Sequence, residues 1–152
     1  MSTRKLFLTL GALAALLMPV AALRAQAPVR EPDYLHALSN LRQAWAFLDA
    51  SKRPNYKHER KEAIQAIEKS IDLVSNAAHS DGESTHNPPP PQMQGNVDAP
   101  WRSALKLLGD ARHDITQGVD RPEHIKHQEK ILHEIDKARR IVSSTLTIAD
   151  PR

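Results

Sequence analysis

The 152 residues carry 21 Lys and Arg against 18 Asp and Glu, a formal charge of +3, with eleven prolines, five glycines, six aromatic residues and no cysteine. The missing cysteine excludes a disulfide-stapled scaffold, a thiolate zinc site, a cysteine nucleophile, a c-type haem attachment and a lipoprotein anchor. A hydrophobic content of 40% with 26% charged residues suits one soluble domain rather than a disordered chain.

Met1 to Ala27 has the shape of a secretory signal peptide. Arg4 and Lys5 precede an apolar run from Leu6 to Ala22, interrupted by Thr9, Gly11 and Pro19, and small residues follow. Cleavage is expected after Ala22, Ala25 or Ala27, which directs the mature chain to the periplasm or outside the cell. An uncleaved anchor is the competing reading, and the only route to a membrane. Arg4, Lys5 and Arg24 all lie in this segment with no acidic residue beside them, so removal after Ala25 or Ala27 leaves 18 basic against 18 acidic side chains. The basic excess belongs to the export signal and argues for no anionic partner.

Two helices are predicted next, within residues 28–78. Tyr34, Leu38, Leu41, Trp45 and Leu48 recur at spacings of four and three over Tyr34 to Ala50, with Asp33 as the N-cap. Ser51 to Asn55 is a turn, because Pro54 disfavours helix at Arg53. Tyr56, Arg60, Ala63 or Ile64, Ile67, Ile71, Val74 and Ala78 then mark a second helix to Ala78. Phe47 stands off the first stripe, where it either meets a partner or packs on the other hairpin.

Residues 79–100 read HSDGESTHNPPPPQMQGNVDAP. The tetraproline Pro88 to Pro91 favours polyproline II, a semi-rigid spacer; a proline-rich ligand for a recognition domain is the sharper alternative. The helical pattern returns over residues 101–152. Trp101, Ala104, Leu105, Leu108, Ala111 or Arg112, and Ile115 form a third stripe beginning at Asp98 to Pro100. Gly118 ends it and Asp120 caps a fourth helix, from about Pro122 to Leu146, with His124, His127, Ile131, Ile135, Ala138 and Val142 on one face.

The halves repeat. At an offset of 67, Tyr34, Ala37, Leu41, Ala44 and Leu48 meet Trp101, Ala104, Leu108, Ala111 and Ile115; at 68, Ile67 and Val74 meet Ile135 and Val142. One αα-hairpin cannot bury its apolar side alone. The expected fold is therefore all-α, a four-helix bundle of two repeated αα-hairpins joined by a proline-rich linker. Hairpins exchanged between two chains of a homodimer satisfy the same pattern.

Eight histidines lie outside the signal segment. Residues three or four apart share a helical face, so His124 and His127 can converge on one metal ion, with Glu129 and His133 further along. Asp110, His113 and Asp114 fall across the turn. Together His124, His127, His113 and Asp110 form a mixed imidazole–carboxylate set suited to zinc, copper or nickel. The competing reading is structural: His124 and His127 extend the stripe of Ile131 and Ile135, and His124 aligns with Tyr56.

Other chemistry lacks a pattern. There is no G-x-S-x-G, no H-E-x-x-H and no glycine-rich phosphate loop, and neither half has the Glu-x-x-His pairs of di-iron bundles. The charged pairs neither cluster nor alternate with aromatics as nucleic-acid binding requires. The expectation is an exported, non-enzymatic binding or interaction module without a resident cofactor, its ligand or protein partner unidentified; the rival is a transition-metal binder. The stretch His58-Glu59 to Ile71, and in weaker form His124 to Ile135, resembles small exported helical-hairpin repeat proteins of the small periplasmic metal-binding type, which implies export and histidine-based metal binding.

Overall fold

The computed structural model describes residues 33–51, 53–90, 99–117 and 122–149, with the side chains of 122–124 excepted. The signal segment, Met93, Asp98, the Gly118 to Asp120 turn and the imidazole of His124 lie outside the described residues. Helix α1 spans Tyr34–Ala50, a single 3-10 turn covers Pro54–Tyr56, and α2, α3 and α4 span Lys57–Ser80, Pro100–Thr116 and Pro122–Ala149.

The helix ends follow from local chemistry. Asp33 is the N-cap of α1, its carboxylate accepting from the backbone N–H of His36 at 3.0 Å and lying 2.6 Å from the His36 ring Nδ1. Pro100 occupies the first turn of α3, where its missing N–H costs nothing. Helix α2 runs two residues beyond the expected Ala78 and stops at Gly82, whose φ of 79° lies in the left-handed region. There the Glu83 N–H reaches back to the Ala78 carbonyl at 2.9 Å and the Gly82 N–H to that of His79 at 3.1 Å, a Schellman stop.

Helix α1 packs on α2 and α3, and α4 packs on α2 and α3, so the four form a square with α1 diagonal to α4. Every adjacent pair is antiparallel. The Asp33 N–H donates to the Asp114 carbonyl, joining the start of α1 to the end of α3, while the Trp101 indole reaches Ser51 at the opposite end. Lys69 and Glu134 meet midway along α2 and α4. Helix α2 therefore ends at one end of the bundle and α3 begins at the other. The described part of the linker runs beside α1, where Ser39 donates to the Pro89 carbonyl. Thr85, itself buried, lies 3.3 Å from the His79 ring. The described prolines are thus held against α1 at Pro89.

One apolar core joins both hairpins. Tyr34, Leu38, Leu41, Phe47, Leu48, Ile67, Val74, Trp101, Leu107, Leu108, Ile115, Ile131, Ile135 and Val142 are its large members, with alanines at 37, 44, 63, 66, 77, 78, 104, 111 and 138 allowing close helix approach. Phe47 is buried here. Three stripes keep most of their expected members and differ from the sequence expectation at single positions. Trp45 is half-buried at the rim, its indole donating to Glu68. On α2 the core position is Ser70, whose hydroxyl satisfies itself on the Ala66 carbonyl at 2.8 Å, leaving Ile71 and Ile64 at the flanks. On α4 the buried row is Gln128, Ile131, Ile135, Ala138, Val142 and Thr145, and His127 is exposed. Arg60 is not a core residue either; it serves the end of α1.

Candidate functional site

Two seams and one end of this bundle gather polar chemistry. The first lies on the outer side of α2 and α4. Lys69, Leu73, Glu129, Lys130, His133 and Glu134 line a groove of about 390 Å³, and Leu73, Asn76, Ala77, Ser80, His127 and Lys130 line an adjoining recess of about 190 Å³. Leu73 and Lys130 belong to both, so the two run together from mid-bundle toward the end of α2. The repeat explains the floor: Leu73 is a flank position of α2 that α4 leaves partly uncovered. At the rim, Lys69 Nζ lies 2.5 Å from Glu134 Oε1, and this carboxylate side chain is only 8% exposed. Lys130 has no ion pair among the described residues, and the groove offers imidazoles, an ammonium and amide or hydroxyl groups around an apolar base.

The histidine–carboxylate set is divided between faces. Asp110 on α3 pairs with Lys106 at 3.6 Å. His113, exposed near the end of α3, has the Gln117 amide nitrogen at 3.1 Å and 3.3 Å from its ring nitrogens. His127 lines the α2 side of α4 with Asn76 and Ser80, not the α3 side. The α4 side chain directed at α3 is Gln128, whose amide donates to the Ile115 carbonyl at 2.5 Å. Among the described residues no three His, Asp or Glu side chains stand close enough to hold a metal ion. The sequence grouped His127 with Asp110 and His113 because they flank one turn; His127 instead lies on the α2 side, and Gln128 takes the core place in the first turns of α4.

A third feature, at the shared end of α1 and α3, was not singled out as a pair from the sequence. Asn40 is fully buried and Asp114 is 7% exposed, with Asn40 Nδ2 donating to Asp114 Oδ2 at 2.9 Å. Burial pushes the Asp114 carboxyl above its ordinary range. The Asn40 hydrogen bond opposes that shift, Asp33 reinforces it, and His36 and His113 oppose it. Asn40 Oδ1 is buried without a partner. A proton on Asp114 supplies the kind of donor that this oxygen lacks.

Arg60 and Gln128, equivalent at the offset of 68, perform one task in both hairpins. Arg60 Nη1 donates to the Ser51 carbonyl at 2.7 Å and to that of Asp49 at 3.3 Å, while Gln128 reaches Ile115. Each covers open carbonyls at the end of the preceding helix. A further network ties α3 to α4, where Asp136 accepts from Arg112 at 3.0 Å and from Arg139 at 3.2 Å. Set against known proteins, the chain matches no family model, no curated protein and no solved structure.

Proposed function

We propose that this is an exported, non-enzymatic helical-bundle module that binds a partner along the outer α2–α4 seam. The observation that carries the reading is the groove itself: a leucine floor flanked by Lys130, His127 and His133, open beside the Lys69–Glu134 pair. Such a site combines apolar area with a few oriented polar groups, as binding clefts do. The helices around it are joined through one core, so the surface is held rigid. The signal-like Met1 to Ala27 supports export.

Site-specific photo-cross-linking in the producing cell tests the surface. A photoreactive residue at position 130 is expected to capture a discrete species that Leu73→Glu abolishes, while the same group at Lys106, on α3, captures none. Equal labelling from both positions overturns the reading. N-terminal sequencing of the mature chain, expected to begin at Leu23, Gln26 or Pro28, tests export. Transition-metal binding is the rival outcome, distinguished by calorimetric titration with zinc, copper and nickel: stoichiometric heat lost in His124→Ala/His127→Ala would replace the protein partner with a metal ion.

A further inference from the structure

Because α1 and α3 are repeats packed antiparallel, their contact has an internal two-fold relation. Asn40 faces Asp114. Carried across the offset of 67, position 40 becomes Leu107 and position 114 becomes Phe47, so the symmetry-related pair is Phe47 with Leu107, both buried. One pair in the α1–α3 seam is polar and its symmetry-related pair is apolar.

This asymmetry matters because the apolar faces of the two hairpins are otherwise alike. Tyr34, Ala37, Leu41, Ala44 and Leu48 on α1, and Trp101, Ala104, Leu108, Ala111 and Ile115 on α3, are all buried at matching positions. On those positions alone a hairpin could pair with a like hairpin from a second copy. In an α1–α1 pair of the same geometry, each Asn40 would face Phe47 of the other chain. In an α3–α3 pair, each Asp114 would face Leu107. Both arrangements bury an amide or carboxyl against hydrocarbon with no hydrogen-bond partner, twice per pair. Only the unlike pairing brings amide and carboxyl together.

We infer that the Asn40–Asp114 pair is a recognition element that makes the apolar face of each hairpin accept the other hairpin and reject its own kind. A single buried polar contact setting partner choice is the best-attested use of such groups in helical assemblies. The second seam adds no such discrimination: in an α2–α2 pair Lys69 would face Ala66, the repeat equivalent of Glu134, and its largely exposed ammonium would stay solvated. The Asn40–Asp114 pair thus confines an assembly of two chains to hairpin exchange, in which α1 of one copy still meets α3 of the other.

The natural chain has no cysteine, which permits a direct test. In an α1–α1 pair the two copies of position 44 lie opposite each other at the centre of the seam, whereas in the unlike pairing, native or exchanged, position 44 meets α3. With Ala44→Cys placed in each full-length variant, the chain is unfolded in denaturant, refolded at high concentration and treated with a mild thiol oxidant. The double substitution Asn40→Leu/Asp114→Phe, in which each position takes its repeat equivalent, is expected to raise the disulfide-linked dimer roughly tenfold over the parent. Asp114→Asn keeps an amide for Asn40 and should remain at the parent level. A double variant that regains its helical circular dichroism but cross-links like the parent overturns the inference, as does a parent that already cross-links as heavily. Should the double variant not refold, Phe47→Asp/Leu107→Asn makes the two pairs alike in the opposite sense. Increased cross-linking there supports the inference, and parent-level cross-linking overturns it.

Discussion

The indole Nε1 of Trp101 donates to the Ser51 hydroxyl at 2.8 Å, fastening the first turn of α3 to the C-cap of α1. Trp101 is 1% exposed, and its ring meets Tyr56 edge-on with centroids 6.4 Å apart. One side chain therefore closes this end of the core. Trp101→Ala should cost about 3–5 kcal/mol, the range for deleting a large buried aromatic. Ser51→Ala should cost about 1–3 kcal/mol, since it strands a buried donor while removing one atom. Urea unfolding followed by circular dichroism separates the two; a Ser51→Ala cost near zero would mean that water replaces the hydroxyl.

Asp114 gives the bundle a pH dependence of defined sign. Burial holds the folded carboxyl above its ordinary value of 3.8, so the folded chain binds that proton more tightly than the unfolded chain. The contribution is fully present below 3.8 and is lost as pH rises through the raised folded value. Ionising Asp114 in the folded chain works against its burial. Asp114→Asn should therefore melt higher than the parent at pH 7, with the difference shrinking as the pH falls toward 4. A variant less stable than the parent at pH 7 would show that Asp33, His36, His113 and Asn40 together favour the carboxylate.

Arg60 and Gln128 should differ in weight despite their shared task. Arg60 is half-buried and works near water, so Arg60→Ala is expected to cost about 0.5–1 kcal/mol. Gln128 is 6% exposed and its amide meets the Ile115 carbonyl inside the α3–α4 seam. Gln128→Ala should cost about 2 kcal/mol, and hydrogen exchange should quicken at the last turn of α3 before any other described segment.

The helices and the repeat are legible in the sequence because apolar spacing, Asp33, Pro54 and Pro100 are local signals. So was the burial of Phe47. What eluded the pattern is the exchange of neighbours at single core positions. Ser70 takes the core place that the spacing assigns to Ile71, because its hydroxyl finds the Ala66 carbonyl on its own helix. Gln128 takes the place assigned to His127, because its partner is the carbonyl of Ile115, thirteen residues away and on another helix. His127 accordingly lies at the α2 groove and not at the α3 turn. Asn40 and Asp114 are separated by 74 residues, and only the repeat register could have paired them. The stop at Gly82 was readable, since Asp-Gly after a long periodic run is a helix-end signal.

Lys69 and Glu134 allow the α2–α4 seam to be weighed as a pair. Their atoms lie 2.5 Å apart, with the lysine side chain 64% exposed and the glutamate 8%. The lysine is solvated whether or not it pairs, whereas the carboxylate depends on it. Lys69→Ala should thus cost about 1–3 kcal/mol by leaving a buried acceptor uncompensated. Glu134→Ala should cost less, because it installs the residue that the repeat already carries at Ala66 in the matching place. The double substitution should recover much of the Lys69→Ala loss, giving a coupling of about 1 kcal/mol in a double-mutant cycle. Additive losses would instead assign the lysine's contribution to its aliphatic stem lying over Leu73 in the groove, and Lys69→Met would then retain stability where Lys69→Ala does not.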